Sequence, residues 1–299
     1  MRHVERLELH LSYTCPAACV FCSEDGRMRA YRHVPVDAAT VRDLLRYWGP
    51  RGVRHVHFTG GEPTLHPDLP ALLALCRRAG LETSLGTNGW RIAEAAYAAR
   101  VLPHLDEVMV SLHGPDAATH EALTGRAGGF ERALRAIERC VSPGVNVVVT
   151  RDNLAGVAET VRLAVSLGAG FVLVSNVSPE GAAKPRFASL AAPLFAFAGL
   201  AREVVAAAGD LPVRFFGVPI CALGELRARS NDLFWSPRVT VEWAGDPPRL
   251  DAIVSEKPDR GRAHVAACAG CRWSGVCPGP FRRYVEVFGE GEIGAAVII

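Results

Sequence analysis

The run Leu7-Glu8-Leu9-His10-Leu11-Ser12-Tyr13-Thr14-Cys15-Pro16-Ala17-Ala18-Cys19-Val20-Phe21-Cys22 decides the fold. Its first half, Leu7 to Ser12, reads as a β-strand. Its second half places three thiols in an eight-residue loop directly after that strand. A strand that delivers reactive residues at its carboxyl end is how α/β sheet proteins build their sites.

Outward from this run, short β-rich segments recur, most of them followed by a helical pattern. Val53 to Phe58, Glu82 to Gly86, Glu107 to Leu112, Val145 to Thr150 and Phe171 to Ser175 read as strands. Ala38 to Trp48, Leu69 to Ala79, Phe130 to Cys140 and Val157 to Leu167 read as amphipathic helices. Strands alternating with helices imply right-handed crossovers and a parallel sheet covered on both faces. Six such units fit a partial (β/α)6 TIM-like barrel at least as well as an open sheet. The pattern changes after about Gly209, where Arg238 to Trp243 and Arg249 to Val254 flank a turn at residues 244–248. The expected organisation is an α/β partial barrel over residues 1–208 and a small C-terminal α+β unit over 209–299. The stretch Pro179 to Arg186 reads as a loop after the sixth strand.

Of the 299 residues, 49% are hydrophobic and 21% charged, enough for a sizeable core. A formal net charge of +2 selects neither nucleic acid nor a membrane surface as a partner. No signal peptide is evident, and the apolar stretch Leu190 to Ala208 is broken by Pro193, Arg202 and Glu203. The expectation is a cytoplasmic protein with no membrane partner. In a reducing compartment, grouped cysteines point to metal ligation rather than disulfides. Seven of the nine fall in two regions: Cys15, Cys19 and Cys22, then Cys268, Cys271 and Cys277 with Cys221 upstream. Cys76 and Cys140 stand alone in helical patterns as buried structural thiols.

Three cysteines on one loop leave one iron of a 4Fe–4S cubane open. Zinc is the competing reading, but His10 lies on the preceding strand and His33 well beyond the loop, so a fourth ligand is not at hand. Three further motifs fall at strand ends: Thr59-Gly60-Gly61-Glu62-Pro63, Leu85-Gly86-Thr87-Asn88-Gly89 and Val110-Ser111-Leu112-His113-Gly114-Pro115. Singly each is ordinary turn or cap chemistry. Together, and in this order, they resemble the radical S-adenosylmethionine (SAM) superfamily, with Cys-x3-Cys-x2-Cys, an aromatic residue before the last cysteine, and a GGEP motif.

The resemblance covers about two-thirds of the chain and implies a 4Fe–4S cluster on Cys15, Cys19 and Cys22 with SAM on its open iron. It implies that Gly60, Gly61 and Pro63 shape the bed for the methionine group, and that Glu62 accepts from its ammonium. Ser111, Thr87 and Asn88 would contact the carboxylate or ribose, and the Phe21 backbone the adenine. Asn153 is a lesser candidate; His113 stands where many members carry aspartate, a solvated loop histidine being the plain alternative. Cys268-x2-Cys271-x5-Cys277 resembles the SPASM and Twitch extensions of the family, which bind auxiliary clusters. With Cys221 it would hold one auxiliary 4Fe–4S cubane, zinc being the alternative.

The implied activity is reductive cleavage of SAM to a 5′-deoxyadenosyl radical that abstracts hydrogen from a substrate. Peptide maturation is favoured narrowly over a small molecule such as an aminosugar or nucleotide. An iron–sulfur redox sensor or scaffold is the non-enzymatic alternative, and it has no need of the strand-end motifs. The expected partners are an external low-potential electron donor of flavodoxin or ferredoxin type and a separate peptide-recognition protein, because only fourteen residues precede Cys15. No general acid or base stands out, though Glu225, Arg227 and Tyr284 fall in the region expected to face the substrate.

Overall fold

The computed structural model describes residues 4–34 and 36–294. Nine strands form one sheet: β1 (Arg6–Ser12), β2 (His55–Gly60), β3 (Glu82–Thr87), β4 (Glu107–Ser111), β5 (Gly144–Val149), β6 (Phe171–Asn176), β7 (Val213–Phe216), β8 (Arg238–Ala244) and β9 (Arg249–Ser255). Their spatial order is β7-β6-β5-β4-β3-β2-β1-β8-β9, all neighbours parallel except the β8–β9 hairpin. The helices are α1 (Asp25–Tyr31), α2 (Ala38–Trp48), α3 (Leu69–Arg78), α4 (Ala95–Val101), α5 (Ala117–Thr124), α6 (Gly129–Arg139), α7 (Val157–Ser166), α8 (Phe187–Leu190), α9 (Phe197–Ala208) and α10 (Arg282–Phe288).

The six expected strands are present within two residues at either end, and a partial barrel results. The segment beyond residue 208 builds on the same sheet. The four-residue β7 pairs with β6, and β8 pairs in parallel with β1 from Arg6↔Arg238 to Leu9↔Val241. The hairpin predicted from sequence is therefore an edge of the barrel sheet.

Strand alternation sorts two faces. Leu7, Leu9 and Leu11 of β1, Val56 and Phe58 of β2, and Val145, Val147 and Val149 of β5 are buried in the core. The alternate positions, including Arg6, Glu8 and His10 of β1, His57 of β2, Asn146 of β5 and Arg238 of β8, line a cavity of about 980 Å³. The outer helices supply the matching apolar faces. In α6, Phe130, Ala133, Ala136 and Ile137 are buried while Glu131, Arg135 and Glu138 are exposed. Local signals set the helix ends: Asp116 caps α5 by accepting from the Thr119 N–H at 2.8 Å, and Gly125 closes it at φ +63°. Cys76 is buried in α3, whereas Cys140 is only half-buried after α6. Among the described residues no single helix is long and apolar enough to cross a membrane.

Candidate active site and metal centres

Cys15, Cys19 and Cys22 all line the cavity at the carboxyl end of the sheet. Their loop is fixed by backbone hydrogen bonds to its neighbours. Ala18 N–H donates to Thr124 O and Val20 N–H to Leu123 O, each at 2.9 Å, so the end of α5 carries the loop. Behind Cys22, the stretch read as a loop forms a tight helical turn, Gly181–Arg186. The Ala182 N–H donates to Cys22 O at 2.9 Å there. A Cβ on Gly181 would lie 2.1 Å from that same oxygen, so only glycine allows the contact.

Burial, with a smaller contribution from neighbouring thiols and acids, pushes Cys15 and Cys19 up to about 12 and Cys22 to about 11. Such thiols give up their protons only to a strong cationic centre, as metal ligation requires. Among the described residues no three cysteine sulfurs come within 4.8 Å of one another. Sulfurs on one tetrahedral zinc stand about 3.8 Å apart, given Zn–S of about 2.3 Å. A set of three thiols on one loop fits a 4Fe–4S cluster with one iron left open.

Gly60 and Gly61 line the cavity, but the space they free is taken by protein. A Cβ on Gly60 (φ +122°) would lie 2.4 Å from Ser12 O, and one on Gly61 2.6 Å from Thr14 O. The Gly61 N–H donates to Ser12 O at 2.7 Å and the Glu62 N–H to Thr14 O at 2.8 Å. The glycines let the end of β2 close on the strand that leads into the cysteine loop. Besides the expected approach of bare backbone to a ligand, the glycines thus serve the packing of the protein itself.

Glu62 is likewise turned from the cavity into the protein. It is fully buried, and Oε1 accepts from the Thr64 N–H (3.1 Å), the Thr64 hydroxyl (2.5 Å) and the Thr87 hydroxyl (2.8 Å). Oε2 accepts from the Asn88 N–H at 2.7 Å. Burial raises its pKa against the pull of these bonds. With both oxygens engaged, Glu62 braces β2 against β3, where the sequence led us to expect a direct acceptor for the ammonium. Pro63 is buried at the start of the turn that follows and does not line the cavity.

Phe21, Thr87, Asn88 and Ser111 do line it. The Asn88 amide lies 3.6 Å from Cys15 Sγ, and its Oδ1 accepts from the Trp90 N–H at 3.0 Å. Asn153 is buried with its polar atoms spent on protein: Oδ1 accepts from Thr150 N–H, and Nδ2 donates to His113 O and Val148 O. It locks the ends of β4 and β5 and does not face the cavity. His113 is no solvated loop residue. It is buried, packs edge-on to Phe21 at 4.8 Å and accepts at Nδ1 from the Val148 N–H at 3.2 Å. Burial lowers its pKa to about 3, so the ring is neutral and carries its proton on Nε2.

One group went unread in the sequence. His10, Glu24 and Glu242 place ligand atoms within 4.8 Å of one another beside the cysteine loop. Arg27 spans Glu24 and Glu242 and already supplies the positive charge there. Burial would lower the His10 pKa, but its bonds to Glu24 and Glu8 lift it to about 9, so it is a second cation in this network. Glu242 comes from β8, which pairs with β1 only in the folded sheet, and no local pattern announces it.

Cys221, Cys268, Cys271 and Cys277 line one small cavity with Pro219 and Gly294. The Gly279 N–H points to Cys277 Sγ at 3.4 Å. Beneath it, Arg262 and Asp232 form a buried pair at 3.2 Å. Glu225, Arg227 and Tyr284 do not line the large cavity. Tyr284 is buried, donates to Glu292 at 2.6 Å and accepts from the Leu194 N–H.

A three-cysteine loop at the carboxyl ends of a partial barrel defines a radical SAM protein. The sequence profile of the Radical SAM superfamily matches residues 9–162, and the chain belongs to that family. It is 32% identical over 175 residues to a PqqA peptide cyclase of Gluconobacter oxydans, covering 57% of this chain and 49% of that protein. It is 30% identical over 192 residues to a probable GTP 3′,8-cyclase of Sulfolobus acidocaldarius, covering 62% and 60%. The chain thus spans about half the length of the first of these relatives. The structure of anSMEcpe with bound AdoMet and the Cp18Cys peptide superposes with TM-score 0.65 at 17% identity, over 97% of this chain and 91% of that one. That likeness establishes the fold across nearly the whole chain.

Proposed function

We propose that the chain is a radical SAM enzyme that modifies a peptide, with a catalytic cluster on Cys15, Cys19 and Cys22 and an auxiliary cluster on Cys221, Cys268, Cys271 and Cys277. The observation that carries the reading is the opening of the three-cysteine loop onto a cavity of about 980 Å³ whose walls carry polar and charged as well as apolar side chains. A redox sensor needs no such chamber. A cluster held by Cys15, Cys19 and Cys22 would supply the one electron needed to break a carbon–sulfur bond of SAM and so the hydrogen-abstracting chemistry of the reaction.

The chain's own residues then have definite tasks. Ser111 and Asn88 offer polar groups to the methionine or ribose. The Phe21 backbone borders the adenine, and neutral His113 offers an N–H into the same space. The strand-end braces hold these groups still and keep water from the radical. At the second site the four cysteines converge and a backbone N–H reaches a sulfur, an arrangement that tunes iron–sulfur clusters.

A peptide substrate is supported by the likeness to the PqqA peptide cyclase and by the fold shared with peptide-bound anSMEcpe. A separate recognition protein would present that peptide, and a flavodoxin- or ferredoxin-type carrier would supply the electron. A cytoplasmic location belongs to the same reading, supported by the grouping of seven cysteines into two sets read as metal ligands. The likeness to a probable GTP 3′,8-cyclase, with Arg214, Arg238 and Lys257 in the cavity wall, favours an anionic small molecule as the second reading.

The test is anaerobic reconstitution, then incubation with SAM, reductant and a precursor peptide encoded beside the gene. We expect 5′-deoxyadenosine and a mass change in the peptide. No 5′-deoxyadenosine would overturn the enzyme reading. Its formation with a nucleotide consumed and the peptide untouched would establish the second one.

A further inference from the structure

The turn Cys277-Pro278-Gly279-Pro280-Phe281 lies between two cavities. Cys277, Gly279 and Pro280 line the small one shared by the second set of cysteines, and Phe281 lines the large one. Backbone bonds hold the turn against the segment before it. The Ala263 N–H donates to Pro280 O at 3.1 Å and the Arg282 N–H to Gly261 O at 2.9 Å. A Cβ on Gly279 (φ +83°) would lie 2.1 Å from Ala263 O, so the two segments are in close contact.

Arg262 is set into this frame. Its Nε donates to Gly279 O at 2.5 Å, and its guanidinium carbon lies 4.8 Å from the centre of the Phe281 ring. Its Nη2 pairs with Asp232 Oδ2 at 3.2 Å, a distance that keeps Asp232 a carboxylate. The N–H of the same Gly279 points to Cys277 Sγ at 3.4 Å. Both members of the pair are buried, their side chains 2% and 0% exposed. Taking two charges out of water costs about as much as their attraction returns, so a buried pair is a poor device for stability. The turn is held by backbone bonds in any case. What the pair does provide is a fixed positive charge one glycine away from a cluster-ligating sulfur, in a dry setting where its field is little screened. Arg262 also lines the large cavity, so this charge stands on the wall between the two centres.

We propose that Arg262, held in place by Asp232, is a positioning residue that raises the reduction potential of the auxiliary centre on Cys221, Cys268, Cys271 and Cys277. The proposal rests on the auxiliary-cluster reading above. Reduction adds one negative charge to such a centre; a buried cation beside it favours that state and a buried anion opposes it. The guanidinium is the member of the pair that touches the turn carrying Cys277, so the positive charge prevails. The Gly279 N–H, whose peptide Arg262 holds from the other side, acts on the sulfur in the same direction.

The test is a redox titration of the reconstituted holoenzyme followed by electron paramagnetic resonance. The signal that SAM leaves unchanged belongs to the second centre. Arg262→Gln removes the positive charge and keeps a donor for Gly279 O. It should lower the potential by about ten-fold in the reduction equilibrium, or about 59 mV for one electron. Asp232→Asn removes the negative charge at constant shape and should raise the potential. Arg262→Lys keeps the charge and should stay near the wild type. The double variant Arg262→Gln/Asp232→Asn should fall between the wild type and Arg262→Gln.

Shifts of the same sign in the two single variants, or none in either, would overturn the proposal. So would a shift in Arg262→Lys as large as that in Arg262→Gln. A single variant leaves one buried charge unpaired and so tends to weaken the fold. Where that empties the second site of iron, the double variant decides, since it buries no charge: a potential at or above the wild type would overturn the proposal. Zinc at the second site of the wild-type protein would instead overturn the auxiliary-cluster reading, whatever the variants do.

Discussion

Replacing Glu62 by glutamine separates two accounts of this residue. If Glu62 held the ammonium of SAM directly, the substitution would leave the fold alone and weaken SAM binding by roughly 1–2 kcal/mol, about ten-fold. The structure assigns a different cost. The buried carboxylate accepts from Thr64 N–H, Thr64 Oγ1, Thr87 Oγ1 and Asn88 N–H. An amide has only one accepting oxygen. Set toward the three Thr64 and Thr87 donors, it must turn its NH2 toward the Asn88 N–H. One charge-assisted bond is then lost, at roughly 1.5–3 kcal/mol, and a buried donor is left unpaired, at roughly 1–3 kcal/mol. Allowing for partial relaxation, the net loss is about 2–4 kcal/mol of stability, a fall in melting temperature of roughly 3–6 °C for a chain of this size. The assay is thermal unfolding of the metal-free protein by circular dichroism, where SAM plays no part. An unchanged melting temperature together with ten-fold weaker SAM binding would refute the brace and restore the direct contact.

Three further outcomes follow from the same geometry. Reconstituted protein should carry about eight irons per chain, falling to about four when Cys15, Cys19 and Cys22 become alanine; one zinc with about four irons would remove the auxiliary cluster. Gly61→Ala sets a Cβ 2.6 Å from Thr14 O and should expel the cysteine loop, so that iron incorporation at the first centre is lost while the second is kept; full iron content in this variant would contradict the packing. Acid should destabilise the metal-free fold from about pH 6.5 downward, because burial holds His57 and His113 at about 3 and His55 and His120 at about 4, below the ordinary 6.5. The unfolded chain takes up these protons first, so their contribution is present above pH 6.5 and lost as pH falls toward 3, on the order of 2 kcal/mol for His113 at pH 5. His10 acts oppositely, contributing fully below pH 6.5 and losing that contribution as pH rises through about 9. A melting temperature flat between pH 7 and 5 would contradict these assignments.

The sheet was legible because β1 to β6 are apolar runs bounded by polar turns, and most of them are followed by helical spacing that can be read locally. Val213–Phe216 escaped notice because four residues after Pro212 give too little alternation to register. α5 was overlooked although Asp116 and Gly125 mark both its ends. The pairing of β8 with β1 joins residues more than 200 apart, and nothing in either strand names its partner. The polar lumen did leave a trace in Arg6, Glu8 and His10, alternating with Leu7, Leu9 and Leu11. That period-two pattern is the mark of a strand with a wet inner face, and it could have placed the cavity before any motif was considered.

The motif residues were found more readily than their tasks. A sequence shows that Gly60 and Gly61 lack side chains without showing what fills the space, and here it is the backbone of residues 12–14. The strand-end motifs form one chain of bonds. The end of β2 is tied to residues 12 and 14, Glu62 ties β2 to Thr87 and Asn88, Asn88 meets Cys15, and the end of α5 carries Ala18 and Val20. Each link satisfies a buried polar group that would otherwise cost roughly 1–3 kcal/mol, so none can be removed without unsettling the next. A loop that must hold a cluster with one open coordination site gains rigidity in this way without using the side chains that face its ligand. The residues that recur together at these strand ends do so because they support one another as well as whatever they bind.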